Sequence, residues 1–156
     1  MTTDEIFDVQ TSDMPVAATP GKGREIFEKR CASCHRFGNM GRPDGGGPDL
    51  THANARPEKG VLLEAILWPS REVAEGYRPE SVDLADGSTL EAIVLREDDK
   101  VLLLKTAGEP RPITIGKGRV AARRRLEKSI MPEGLLDGYD QGAVASLLEL
   151  LATAPQ

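Results

Sequence analysis

The sequence predicts a mainly α fold in which a small antiparallel β segment is inserted between helices. Two observations lead to this prediction. Apolar residues recur at helical spacing over residues 20–30, 57–68 and 140–152. Residues 77–115 instead contain short apolar runs separated by turn residues, which is typical of a meander of three or four strands. We therefore expect about three to four helices around one core, with the β meander as an insertion.

The length of 156 residues favours a single domain. Residues 1–19 are polar with scattered Pro, Thr and Ala, and we expect a flexible N-terminal arm there. Residues 20–156 then form the domain. Aromatic residues make up only 4% of the chain, so aliphatic side chains must build most of the core. A large bound apolar group would help such a core to form.

The first and last helices are expected to pack against each other. In the first, Gly23 would permit a close helix crossing, and Phe27 would point toward the core. In the last, Asp140 is the expected N-cap. The apolar stripe of the last helix follows the i, i+3, i+4, i+7 pattern and consists of Val144, Leu147, Leu148 and Leu151. The middle helix, residues 57–68, is expected to end before Pro69.

Turn signals bound the strands of the expected meander. Asp86-Gly87 lies between apolar runs and is a hairpin signal, and residues 97–100 and 108–110 are two further turns. The strands are expected at residues 82–84, 90–95, 101–106 and 113–115.

Charge and hydropathy exclude some classes of partner. The formal net charge is -5 and the isoelectric point about 5.1, which argues against nucleic acid because a phosphate backbone needs a basic face. No run of 18 apolar residues exists, so we expect no membrane span. The N-terminus is polar and acidic, without an apolar signal segment. Export would therefore require that a signal peptide has already been removed.

The two cysteines, Cys31 and Cys34, lie only two residues apart. A disulfide between them would staple almost no chain, so the pair indicates chemistry rather than scaffold. Residues 31–35 read Cys-Ala-Ser-Cys-His, and C-x-x-C-H is the attachment signature of c-type haem. The spacing lets the two thiols reach two neighbouring vinyl groups, and it places the imidazole of His35 under the iron as an axial ligand.

Three other interpretations of the cysteine pair compete with haem attachment. A thioredoxin-like redox pair would follow a strand, and none is predicted before Cys31. Half of a zinc site would need a second Cys or His pair, whereas His52 is the only other histidine. A five-residue pattern can also arise by chance, so haem attachment needs independent support.

Pro48 provides one line of support. An axial histidine needs a hydrogen bond at its other ring nitrogen, and the Gly-rich residues 45–50 can bring a backbone carbonyl, such as that of Pro48, under the ring. The alternative is a simple surface loop.

Met131 provides the second line of support for haem attachment. It is flanked by Pro and Gly in residues 129–135, directly before the last helix. Methionine usually just packs in a core, but the position of Met131 downstream of a haem motif makes it the candidate second iron ligand. Met1, Met14 and Met40 are poorer candidates, because the first two precede the motif and the third is too close to His35.

Taken together, these motifs resemble a class I cytochrome c. More narrowly, the sequence is similar to the haem-binding domain common in planctomycetes and verrucomicrobia, in which a β segment interrupts the cytochrome fold. The resemblance covers about residues 20–152. The matching segments are residues 31–35, 47–51, 65–71, 86–87 and 131–135.

The resemblance implies one covalent haem c whose iron is ligated by His35 and Met131, and one-electron transfer rather than enzyme catalysis. It also implies a periplasmic or otherwise extracytoplasmic location, and redox partner proteins such as a dehydrogenase donor and an oxidase acceptor. A monomer is favoured. Residues 123–125, three arginines, are either a solvated face or a docking patch for an acidic partner.

Two alternative functions stay open at the level of sequence. One is a five-coordinate haem c enzyme or a gas or redox sensor, which requires that Met131 does not bind iron. The other is a non-haem interaction module, in which the β segment binds a partner and the cysteines are incidental.

Overall fold

A computed structural model describes residues 1–52, 58–74 and 76–153. In this part of the chain four α-helices occur: α1 (Thr3–Thr11), α2 (Lys22–Ile26), α3 (Lys59–Leu67) and α4 (Gln141–Leu151). A π-helix, Phe27–Cys31, continues directly from α2. Two short strands, β1 (Arg36–Phe37) and β2 (Met40–Gly41), form a small hairpin. None of the described helices is long and apolar enough to cross a membrane.

The predicted crossing of the helix near Gly23, which is α2 in the structure, with the last helix, α4, is confirmed. The backbone N–H of Gly23 donates to Ser146 Oγ at 2.8 Å. A Cβ on Gly23 would lie 2.6 Å from the backbone nitrogen of Leu147, so only glycine allows α2 and α4 to approach this closely. The N-cap prediction is also confirmed, because the Asp140 carboxylate accepts a hydrogen bond from the N–H of Ala143 at 2.9 Å.

The N-terminal segment differs from the expected flexible arm. Thr2 caps α1 by accepting a hydrogen bond from the N–H of Glu5 at 3.1 Å. The helix buries Ile6, and Gln10 donates a hydrogen bond to the carbonyl of Gln141 at 2.9 Å. The sequence did not predict this helix: a few apolar residues in a polar stretch are enough to dock a short helix once a core is available.

A five-stranded antiparallel sheet follows α3. Its strands are β3 (Glu80–Leu84), β4 (Thr89–Glu97), β5 (Val101–Lys105), β6 (Ile113–Gly116) and β7 (Val120–Arg125), in the spatial order β6-β5-β4-β3-β7. Strands β3 to β6 form the predicted meander. The chain then returns across the sheet, and β7 pairs with the free edge of β3.

The sheet corrects the expected fold class. The structure is about 29% helical and 22% strand, so it is not mainly α, although helices still surround the cysteine motif. The expectation failed because β7 was missed and because β3 and β4 are longer than predicted. Five of the six β7 side chains are exposed, so no alternation of apolar and polar residues marks β7 as a strand.

Ion pairs and backbone pairing hold β7 instead. The Arg123 guanidinium donates to both carboxylate oxygens of Glu80, at 2.8 and 3.0 Å, and to both of Glu97, at 3.0 Å each. These contacts tie β7 across β3 to β4. The arginines at residues 123–125 therefore include one that is a structural element of the sheet.

Two apolar clusters make up the interior. The helical core contains residues of α1 to α4, of the π-helix and of β1, among them Ile26, Phe27, Phe37, Leu63 and Leu147. The sheet core contains Val82, Leu84, Ala92, Leu102, Leu104 and Ile115. The predicted N-terminal boundary of the middle helix at Pro57 lies outside the described residues.

Candidate functional site

The cysteine motif begins where the π-helix ends. The N–H of Ala32 donates to the carbonyl of Phe27 at 2.8 Å, which is the wide hydrogen bond of a π-turn. The N–H groups of Cys34 and His35 then both donate to the Cys31 carbonyl, at 3.1 and 2.9 Å. This tight turn brings both thiols and the imidazole into one short segment. Single π-turns occur frequently at functional sites.

Both thiols are free and half-buried. Burial, and to a lesser extent the neighbouring Cys34, raises the pKa of the Cys31 thiol to about 11. The Cys31 thiol is therefore protonated at neutral pH. In thioredoxin-like pairs a lowered pKa makes a cysteine thiolate the nucleophile, so the environment of Cys31 disfavours that chemistry.

His35 is oriented by a backbone carbonyl. Its Nδ1–H donates to the carbonyl oxygen of Pro48 at 2.7 Å, which leaves Nε2 as the ring nitrogen that can bind a metal. Burial lowers the pKa of His35, and the hydrogen bond to Pro48 opposes that change. Burial thus favours the neutral imidazole, which is the form that ligates metals.

A run of three glycines lets the loop lie against the motif. The N–H of Gly47 donates to the Cys34 carbonyl at 2.9 Å. A Cβ on Gly47 would lie 2.7 Å from Cε1 and 2.9 Å from Nδ1 of His35, and a Cβ on Gly45 would lie 2.6 Å from Cα of Cys34. Any side chain at either position would displace the motif. The Gly-rich loop is therefore shaped by the imidazole and the second cysteine.

Met131 lies in a different loop, between β7 and α4. Its N–H donates to Ser129 Oγ at 3.1 Å, and the N–H of Ser129 donates to Ser70 Oγ at 3.0 Å. The first hydrogen bond lies within the loop, and the second ties the loop to the segment after α3. Met131 is half-buried and lines an open cavity of about 620 Å³, together with Thr106 and other residues between the sheet and this loop.

The structure thus brings Cys31, Cys34, His35 and Pro48 into one cluster. Residues 21–79 match the family model for cytochrome c. The chain matches no curated protein. The cytochrome c match spans α2, the motif, the glycine loop and α3, and it supports a carrier of electrons that binds haem c. Cytochrome c domains are typically extracytoplasmic.

The chain's own residues fit the haem that a cytochrome c domain implies. Two free thiols flank a turn at the spacing that haem attachment requires. The adjacent imidazole has one ring nitrogen already engaged by Pro48, as expected for an axial ligand. The glycine loop leaves no room for side chains at this place.

Sequence patterns did not reveal one residue beside the cysteine motif. Lys105, the last residue of β5, is 1% exposed, and its Nζ lies 3.6 Å from Cys34 Sγ. A lysine at the end of an apolar strand is normally taken to be solvated. No local pattern distinguishes Lys105, because its neighbour Cys34 lies 71 residues earlier in the chain.

Proposed function

We propose that this protein is a monohaem c-type cytochrome that transfers single electrons outside the cytoplasm. In this proposal Cys31 and Cys34 hold the haem through thioethers, and His35 and Met131 are its axial ligands. The hydrogen bond from His35 Nδ1–H to the Pro48 carbonyl, next to two free thiols, is the observation that carries the proposal. The narrower likeness to the planctomycete and verrucomicrobial domain stays a prediction.

The chain's contribution is to hold ligands rigidly and to exclude water. Bound haem would supply the one-electron cycle between ferrous and ferric iron. Pro48 keeps the imidazole of His35 in one orientation and one tautomer. Ser129 and Ser70 fix the loop that carries Met131. Phe27 and Phe37, both fully buried with ring centroids 6.1 Å apart, keep the helical core dry behind the motif.

The proposed partners are a dehydrogenase-type donor and an oxidase-type acceptor. Two strong axial ligands would leave no open iron position for a substrate, which is why electron transfer is proposed rather than catalysis. Such partners meet through small, short-lived interfaces.

The first test is covalent haem retention. The protein is expressed in a host that carries the haem c maturation machinery and is assayed by the pyridine haemochrome method. We expect one haem per chain that acidified organic solvent does not extract. A colourless protein, or one that releases its pigment, would remove the proposal and would leave the non-haem interaction module as the better interpretation.

The second part of the test concerns Met131. We expect the oxidised protein to show a far-red sulfur-to-iron charge-transfer band that Met131→Ala abolishes, with a lower reduction potential. Met40→Ala is the matched control: Met40 is also half-buried, and its removal should leave the band in place. Tight carbon monoxide binding by the unaltered reduced protein would instead indicate a five-coordinate haem.

A further inference from the structure

Lys105 is one of three polar or charged side chains buried in the described part of the chain, and the only lysine among them. Its Nζ donates to the carbonyl oxygen of Thr106 at 2.7 Å and contacts Cys34 Sγ at 3.6 Å. Lysine is almost never fully buried unless it is paired. The buried Nζ of Lys105 therefore lies directly beside one of the two thiols proposed to carry the haem.

Packing on both sides holds the lysine in this place. Lys105 is opposite Ile93 in the register of β4 and β5. A Cβ on Gly46 would lie 3.4 Å from both Ile93 Cβ and Lys105 Cγ, so the glycine loop packs against the lysine stem. The stem thus fills the junction between the sheet and the loop that carries Pro48. Its charged end has little freedom to swing out into solvent.

Acidic side chains do not neutralise this charge. Among the described residues, no carboxylate forms an ion pair with Lys105 within 4.0 Å. Asp44 is within electrostatic range, but it is exposed and already paired with Arg42, whose Nε and Nη2 lie 3.0 and 3.1 Å from its two oxygens. Arg42 is the main cause of the lowered pKa of Asp44, and Lys105 is the smallest. In the described part of the chain, no nearby carboxylate therefore offsets a positive charge on Lys105.

We propose that Lys105 raises the reduction potential of the haem by placing a fixed positive charge beside the thioether at Cys34. This inference rests on the proposed function. Oxidised haem carries one more positive charge than reduced haem. A nearby cation destabilises the oxidised form more, and burial keeps solvent and salt from screening this effect. The sheet would then tune the cofactor as well as support the loop.

The test separates the effect of the positive charge at position 105 from the effect of the shape of the side chain. Lys105→Gln keeps an N–H donor but removes the charge, and Lys105→Met replaces the stem with an uncharged one of similar length. Lys105→Arg keeps the charge. Lys100→Gln is the matched control. It makes the same change in net charge, but Lys100 is exposed on the turn between β4 and β5. Midpoint potentials are measured by spectroelectrochemistry on haem-loaded protein at low and high ionic strength.

We expect both neutral variants to shift the potential downward while the ligation spectrum stays unchanged, and we expect Lys105→Arg to restore it. The shift should persist at high salt, whereas any shift from Lys100→Gln should vanish there. Equal potentials for Lys105→Gln and Lys100→Gln would overturn the inference.

Two further outcomes would also overturn it. Haem retention by Lys105→Arg but by neither neutral variant would assign the charge to haem attachment instead. Failure of all three variants to retain haem would make Lys105 a purely structural residue. Each of these results is distinct from failure of the proposed function, because that failure is a colourless unaltered protein.

Discussion

At the scale of single residues, each of the three glycines of the glycine loop lies close to a different part of the structure. Gly45 lies against the backbone of Cys34, Gly46 against the sheet, and Gly47 against the ring of His35. The sequence predicted a loop that could approach an axial histidine, and it predicted Pro48 as the acceptor of the ring's hydrogen bond. These inferences were possible because all the residues lie within 20 positions of one another.

Replacing Gly47 tests the close contact with the imidazole. A Cβ at this position would lie 2.7 Å from Cε1 of His35 and 2.8 Å from the Cys34 carbonyl oxygen. We expect Gly47→Ala to lower the free energy of unfolding by about 1–3 kcal/mol, as overpacking typically does, and to reduce the haem content. Denaturant unfolding and the pyridine haemochrome assay measure the two effects.

Gly118→Ala is the control for that experiment, because a Cβ on Gly118 would meet nothing within 4 Å. Equal stability and haem content in the two variants would show that the ring can move aside at no cost.

At the scale of elements, the sequence predicted the helices and strands in which apolar residues recur with a regular period. The α4 stripe and its Asp140 cap were predicted correctly, and the strands of the meander were predicted to within two residues of their bounds. Strand β7 was not predicted, because backbone pairing and Arg123 hold it rather than an apolar face. Helix α1 was missed for a related reason: it buries few residues, and its docking depends on a core built by distant segments.

The ion pairs of β7 predict a pH-dependent contribution to stability. Hydrogen bonds from Arg123, and then from Lys117, lower the pKa of Glu97 from 4.5 to about 2. A group whose pKa falls on folding stabilises the fold fully above its unfolded value, and this contribution is lost as the pH falls through the folded value. Glu97→Gln should therefore be less stable than the parent at pH 7, and the difference should shrink between pH 4.5 and 2.

Urea midpoints at several pH values measure this difference. Asp99→Asn is the control, since Asp99 is exposed on the adjacent turn and its loss leaves Arg123 in place. A difference between Glu97→Gln and the parent that stays constant down to pH 2 would contradict the assignment.

At the scale of the whole molecule, the helical core and the sheet core meet at the attachment loop. A Cβ on Gly46 would lie 3.4 Å from Ile93 and from Lys105, and Lys105 Nζ lies 3.6 Å from Cys34 Sγ. The sequence predicted the sheet as an insertion without any role at the site. Its role was not predictable, because the contacts join residues far apart in the chain, 71 positions in the case of Cys34 and Lys105, and the one distinctive residue, a lysine, is usually solvated.

This junction predicts that the two cores unfold together. Leu104 is fully buried in the sheet core, and we expect Leu104→Ala to cost about 2–5 kcal/mol. Trp68 is the only tryptophan and packs against the helical core. Its fluorescence should therefore report the same lowered midpoint as far-UV circular dichroism. Leu103→Ala, at a half-buried position, should shift the midpoint less.

Two separate transitions, with the Trp68 signal unchanged by Leu104→Ala, would mean that the sheet folds independently of the helices.

The contact between Gly46 and the sheet has a practical consequence for anyone who wants a minimal version of this molecule. The segment that matches cytochrome c, residues 21–79, holds the thiols and the imidazole but ends before the first strand of the sheet. Trimming the chain to that segment would remove the five-stranded sheet beside the glycine loop, along with Met131 and helix α4. Dissection should therefore proceed by substitution within the 156-residue chain rather than by truncation.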